Sequence, residues 1–382
     1  MMSRRTILGA GAGLAALSMS GARITAATAA TDKRLMVIIL RGAADGLSIA
    51  APTGDPGFAR ARAAWSDSYA SAPSLGGMFS LHPALKRVGE FYAQGDALVA
   101  HAIATNYRER SHFDAQNLLE SGGLKAYERR DGFLNRALGL MPAQDFPALA
   151  IAPTLPLAMR GDNPVTSYAP TKLPDASGEL VDRVRGLYSH DPQLEQMWDS
   201  AIKTRGLAGD SAGENLRGAV ELGNLAARLM DNSEGARLVM VDLPGWDSHA
   251  GQELQLKKTL ANLDATLGAF HDAIGPMWAN TVVAVVTEFG RTVAINGTKG
   301  TDHGTASAGL LLGGAVNGGR VVSDWPGLAP SQLYEGRDLM PTGSVEAFLT
   351  GALSGHFGLD PVRTFDTMFP GRNQRAMEGL IA

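Results

Sequence analysis

Apolar residues run without interruption from Leu35 to Leu40, between Arg34 and the segment Arg41-Gly-Ala-Ala-Asp45-Gly46. An unbroken stretch of this kind is the profile of a strand buried on both faces, so it is expected to open the sheet near its centre. Short apolar runs over Ala97–Ala102, Ala148–Ala152, Arg237–Asp242, Thr281–Thr287, Ala308–Gly313 and Arg320–Ser323, each flanked by Gly, Pro or polar residues, predict further strands. Between them the period changes. Leu256, Leu260, Leu263, Leu267, Phe270 and Ile274 step by four and three, which lines all six along one stripe of a helix joining the strand that ends at Asp242 to the one that starts at Thr281. Strand, long helix and strand in that order predict a right-handed parallel crossover. Together with helical patterns over Pro83–Gln94, Ser111–Ser121, Gly132–Leu140 and Gly213–Met230, the alternation predicts a three-layer αβα sandwich with a mostly parallel central sheet. The stretch from Pro153 to Asp210, rich in Pro, Gly, Asp and Ser, reads as a cap or insertion in a single α/β domain spanning residues 31–382.

The first thirty residues follow another rule. Ser3-Arg4-Arg5-Thr6-Ile7-Leu8 places paired arginines before a weakly apolar run that reaches Ser20, and Ala27-Thr28-Ala29 offers small residues to a signal peptidase. Met1–Ala30 is therefore expected to be a twin-arginine export signal, the alternatives being an uncleaved anchor or an unrelated basic terminus. The run is too short and too mild to span a bilayer, which predicts a periplasmic or secreted protein without stable membrane insertion. The chain has no cysteine, which excludes a disulfide framework, a thiolate metal site and a cysteine nucleophile. Any metal must be held by oxygen and imidazole. The formal charge of −4 becomes −7 once Arg4, Arg5 and Arg23 are taken away, so nucleic acid has no electrostatic footprint to meet.

Three stretches in the last third carry candidate ligands: Asp242-Leu-Pro-Gly-Trp-Asp247-Ser-His249, Thr287-Glu288-Phe-Gly-Arg291-Thr292 and Gly300-Thr-Asp302-His303-Gly304. The carboxyl ends of strands in an open α/β sheet collect ligands into one crevice, so the three stretches are expected to converge. Asp247 and His249, two apart in an extended segment, can grip one cation, although Asp247 could instead cap a helix starting at Ala250. Asp302 and His303 lie between glycines and read as ligands or as a hydrogen-bonded turn. Glu288 suits a hard cation and Arg291 a tetrahedral oxyanion, or the two pair with each other. Ser111, beside His112 at a helix start, is a candidate nucleophile, where the helix dipole favours an anion; it is equally a good N-cap. Asp45, at the end of the first strand, is a further ligand candidate, with an Asp-Gly turn as its plain alternative. The remaining histidines read as mostly structural, with His101, at a strand end, the exception.

Six segments in this order, Leu40-Arg-Gly-Ala-Ala-Asp-Gly-Leu47, Leu81-His-Pro83, Ser111-His-Phe-Asp-Ala-Gln116, Trp246-Asp-Ser-His249, Thr287-Glu-Phe-Gly-Arg-Thr292 and Gly300-Thr-Asp-His-Gly304, resemble the exported bacterial family called domain of unknown function 1501. That family looks distantly related to the alkaline phosphatase and sulfatase superfamily. The resemblance implies an alkaline-phosphatase-like fold with Asp45 as the first-strand ligand and Ser111, next to His112, as the nucleophile. It further implies that Asp247 and His249 hold one metal together with His303. Glu288 falls where the superfamily usually has adjacent Asp and His, and here Phe289 follows it. The expectation is a hydrolase of phosphate or sulfate esters using one or two divalent cations (Zn, Mn or Ca) held by Asp45, Asp247, His249, Glu288, Asp302 and His303, with Ser111, His112 and Arg291 catalytic and an anionic small-molecule or polymer substrate. The alternative is a catalytically degenerate, metal-stabilised binding protein for an exported glycan or polymer.

Overall fold

In the computed structural model, residues 31–141, 147–169, 177–208, 218–231 and 234–382 are described. The export signal expected over Met1–Ala30 lies outside them. The first strand, β1 (Arg34–Arg41), is buried from Arg34 through Leu40. Its side chains alternate between two cores: Met36, Ile38 and Leu40 enter one, and Leu35, Val37 and Ile39 the other. A strand has a period of two, so covering both faces demands apolar residues at every position.

The other strands of this sheet are β2 (Ala97–Ala104), β3 (Ala148–Ile151), β4 (Thr166–Tyr168), β5 (Leu238–Pro244), β6 (Thr281–Thr287), β7 (Ser307–Leu312), β8 (Arg320–Val322) and β9 (Gly343–Ser344). The order is β8-β2-β7-β6-β1-β5-β3-β4, with β9 also pairing β2. β1 sits between β5 and β6 and is parallel to both, with Met36 opposite Val239 on one side and Val283 on the other. β7 runs antiparallel to its neighbours β2 and β6, and the other pairs are parallel. The sheet is thus mixed and mostly parallel.

Helices cover both faces. They are α1 (Lys86–Gln94), α2 (His112–Ser121), α3 (Phe133–Leu138), α4 (Gly178–Tyr188), α5 (Pro192–Ala208), α6 (Ala219–Met230), α7 (Gln252–Ile274), α8 (Val345–Phe357) and α9 (Pro361–Met368). Side chains of α1, α6 and α7 fill the core under Met36 and Ile38, and those of α2, α3, α8 and α9 fill the core under Val37 and Ile39. The predicted stripe of α7 is buried in full, each of its six residues at most 4% exposed. Burial of such side chains contributes about 1.5–3 kcal/mol each. This is an α/β fold in three layers, and residues 32–382 form one compact unit.

The stretch expected as a cap or insertion supplies the short strand β4, which pairs with β3 at one edge of the sheet, and the helices α4 and α5; residues 170–176 and 209–210 of it lie outside the described residues. No helix among the described residues is long and apolar enough to cross a membrane.

Candidate metal centre

Because β1, β2, β5 and β6 are parallel and β7 is antiparallel to them, the carboxyl ends of the first four and the start of β7 share one edge of the sheet. Asp247 and His249 follow β5, Glu288 follows β6, His112 opens α2 after β2, and His303 precedes β7. Two glycines let these segments close up. Gly42, at φ +119°, leaves no room for a side chain, since a Cβ there would lie 2.5 Å from the Asp247 nitrogen. At Gly300 a Cβ would lie 2.2 Å from the carbonyl carbon and oxygen of His249. The backbone of the His303 segment thus passes directly against that of the His249 segment.

Three imidazoles meet at this edge. His303 Nε2 is 2.9 Å from His112 Nε2 and 2.9 Å from His249 Nε2. The Asp247 carboxylate lies among them, 3.1 Å from His249 Nε2, 3.4 Å from His303 Nε2 and 3.5 Å from His112 Nε2. Each ring is held from behind through its other nitrogen. His112 Nδ1 donates to Glu288 Oε1 at 2.8 Å, His303 Nδ1 to the Arg110 carbonyl at 2.9 Å and His249 Nδ1 to Asp302 Oδ1 at 3.3 Å. An oxygen acceptor on Nδ1 sets the tautomer with its proton there and leaves the Nε2 lone pair facing inward. Three lone pairs and a carboxylate directed at one point repel one another unless a cation lies between them. His112, Asp247 and His303 could hold a metal ion, and His249 Nε2 stands beside two of them, His303 and Asp247.

The surrounding charges are uneven. The hydrogen bond to Glu288 pushes the His112 imidazole above its ordinary range, whereas burial, reinforced by the charges of His112 and Arg291, pushes His303 below. Burial acts to raise the Asp247 carboxyl, but the Arg291 guanidinium, at 2.8 Å from Asp247 Oδ1, outweighs it and holds that carboxyl low. Glu288 is fully buried; its burial is outweighed by hydrogen bonds from His112, from Gln116 Nε2 at 2.9 Å and from the Gly42 N–H at 2.8 Å, which keep it ionised.

Several expected roles move. Asp45 is not at the centre. It is 1% exposed, and its carboxylate accepts from Arg62 Nη1 at 2.6 Å, Arg62 Nη2 at 3.2 Å, Ser48 Oγ at 2.7 Å and Gln252 Nε2 at 2.5 Å. Those donors occupy both oxygens, so the residue is a buried anchor. Glu288 and Asp302 stand behind histidines and outside the converging set. Glu288 and Arg291 do not pair with each other: Glu288 turns to His112, and Arg291 turns to Asp247 and, through Nε at 3.2 Å, to Thr301 Oγ1. His112, expected as a catalytic partner of Ser111, is instead a member of the converging set. Asp247 does not cap α7, whose N-cap is Gly251. Ser111 is the N-cap residue of α2, half-buried, with no side-chain capping bond. His101 is a strut, its Nε2 donating to the carbonyls of Gly46 at 3.2 Å and Ala50 at 3.0 Å. Sequence reading missed Arg62 and Gln116. For Gln116 a signal existed, since it lies four residues after His112 and so shares its helix face.

Among solved structures, the chain is similar to a protein of the alkaline phosphatase superfamily from Vibrio parahaemolyticus, at 12% identity and a TM-score of 0.39, over 76% of this chain and 62% of that one. It spans less than two thirds of the Vibrio protein's length. It is also similar to a lipoteichoic acid synthase from Listeria monocytogenes (10% identity, TM-score 0.41, 87% of this chain and 73% of that one) and to a phosphonate monoester hydrolase of Agrobacterium radiobacter (11%, 0.40, 90% and 78%). No curated protein matches the chain in sequence. The sequence model of the family described as protein of unknown function DUF1501 matches residues 97–359, more than half of the chain, and the protein belongs to that family.

Proposed function

We propose that the protein is an exported hydrolase of phosphate or sulfate esters that works with one divalent cation held by His112, Asp247, His249 and His303. The convergence of three imidazole nitrogens and a carboxylate at a solvent-facing rim carries this reading. The side chains of His112, His303 and His249 are 20%, 25% and 46% exposed. A catalytic metal keeps a coordination position open to substrate, so this reading requires either that three of the four side chains, such as His112, Asp247 and His303, hold the ion while His249 flanks it, or that the ion takes a fifth ligand; the exposed rim gives that position access to solvent. Three imidazole donors suit zinc or manganese better than calcium, which takes oxygen ligands. Export rests on the paired arginines at Arg4 and Arg5 and the small residues at Ala27 and Ala29.

When bound, the cation supplies Lewis acidity that polarises an ester oxygen. The chain does the rest. Glu288, Asp302 and the Arg110 carbonyl keep the three rings aimed, and Arg291 fixes the carboxylate of Asp247. Ser111 is the proposed nucleophile: its hydroxyl makes no capping bond and meets the Tyr107 side chain, and it stands at the amino end of α2, where backbone amides favour a developing anion. Arg291 thus steadies charge through Asp247 and not by gripping the substrate.

One observation favours the second reading, a catalytically degenerate, metal-stabilised binding protein for an exported glycan or polymer. Arg108, Arg110, Arg291 and Arg337, the guanidinium groups around the site, each already donate to protein oxygens. Metal-loaded protein assayed on a panel of aryl phosphates and aryl sulfates separates the two. Turnover that disappears in Ser111→Ala and His249→Ala supports the hydrolase. Stoichiometric metal without turnover leaves the binding protein standing, and purified protein without stoichiometric metal sinks both.

A further inference from the structure

Asp338 lies outside the converging set, yet every side chain bonded to its carboxylate is tied to His303. The carboxylate is 0% exposed. Its Oδ2 accepts from Thr305 Oγ1 at 2.8 Å, Arg110 Nε at 3.0 Å and Arg110 Nη2 at 2.9 Å, and its Oδ1 accepts from Arg337 Nε at 2.8 Å. Thr305 is two residues beyond His303, Arg337 Nη2 donates to the His303 carbonyl, and the Arg110 carbonyl takes the proton of His303 Nδ1. Arg110 has a φ of +60°, the left-handed region that residues with a Cβ seldom enter. Something has to hold it there, and the guanidinium fork on Asp338, extended by a 2.5 Å contact to Glu335, is the visible restraint.

We infer that Asp338 is a positioning residue for His303. By pinning Arg110 in that conformation it aims the Arg110 carbonyl at Nδ1–H, which turns the Nε2 lone pair of His303 toward His112, His249 and Asp247. The inference rests on the metal reading above and requires nothing of the substrate.

Two readouts test it. In metal-free protein with 15N-labelled histidine, His303 should be the Nδ1–H tautomer in the wild type and lose that preference in Asp338→Asn. The zinc dissociation constant, from competition with a chromophoric chelator, should weaken about 10–100-fold in Asp338→Asn while the far-UV circular dichroism stays native. Asp264→Asn is the control. That carboxylate, 8% exposed, accepts from the Arg87 and Val88 N–H groups at the start of α1 and should leave tautomer and affinity unchanged. If Asp338→Asn does not fold, Arg110→Lys removes the fork while Asp338 keeps Thr305 and Arg337, and it carries the same two expectations. Wild-type tautomer and zinc affinity in the folded variant overturn the inference and leave the metal centre intact. Equal weakening in Asp264→Asn also overturns it, since the effect is then general. A wild type that binds no zinc overturns the metal reading and this inference with it.

Discussion

Replacing Asp45 by Asn and, separately, Asp247 by Asn separates scaffold from ligand. Asp45 is 1% exposed and Arg62 0%. Besides its two bonds to Asp45, the Arg62 guanidinium donates to the carbonyls of Val293 at 2.5 Å and Thr292 at 2.8 Å, so the pair ties β1's end to the segment after β6. An amide at position 45 keeps the shape but leaves a buried cation without its counter-charge. Removing one partner of a buried pair costs about 3–5 kcal/mol. A whole domain is stable by about 5–15 kcal/mol, so a large fraction is at stake, and a urea slope of about 1–3 kcal/mol/M turns it into a midpoint shift of about 1 M or more. Asp247 is different: its side chain is 45% exposed and reached by water, and Asn would keep an oxygen for Arg291 Nη1, so although the buried Arg291 guanidinium loses its counter-charge the cost should fall below that at position 45. The assay is urea unfolding followed by far-UV circular dichroism, with zinc content measured on the same dialysed samples. Asp45→Asn should lose stability and keep zinc; Asp247→Asn should keep most of its stability and lose zinc. Zinc lost from Asp45→Asn at an unchanged midpoint would make Asp45 a ligand and refute the division drawn here.

Two further outcomes are expected. His101 is buried as a neutral ring, and burial pushes its pKa down to about 4 from the usual 6.5. The unfolded chain therefore binds that proton first, so the contribution of His101 is complete above pH 6.5 and is lost as the pH falls from 6.5 through about 4, by up to about 3 kcal/mol; urea midpoints of wild type and His101→Gln across this range should show a shallower pH slope in the variant, and parallel slopes would refute the argument. Gly300→Ala puts a Cβ 2.2 Å from the His249 backbone, so the segments bearing His249 and His303 must part, and zinc affinity by competition titration should fall by tenfold or more while the cores stay folded; an unchanged affinity would show that the close approach is not needed.

The elements that were legible in the chain are those whose environment repeats along it. Leu35–Leu40 and Thr281–Thr287 are apolar at nearly every position because the sheet buries both of their faces, and the α7 stripe is periodic because one face meets the core. Where burial has no period, the pattern goes silent. In α8 eleven of the thirteen residues from Val345 to Phe357 are buried, Glu346 and Ser354 included, so no stripe marks it as a helix. β4 has half-exposed ends and three residues, too few to show any alternation. β7 reads like its neighbours, because direction in a sheet leaves no trace in hydrophobicity.

The site divides along the same line. Asp247, His249 and His303 could be expected together from sequence, since residue type and position after or before apolar runs suffice to place them on one edge of an α/β sheet. Which side chains face one another depends on contacts between residues far apart in the chain. His112 reaches His303 across 191 positions and Glu288 across 176, and Arg62 takes Asp45 out of the ligand set. A carboxylate at a strand end looks the same in sequence whether it meets a cation, a guanidinium or the back of an imidazole. Packing decides among the three, because the buried charge takes whichever partner the fold brings within hydrogen-bonding distance.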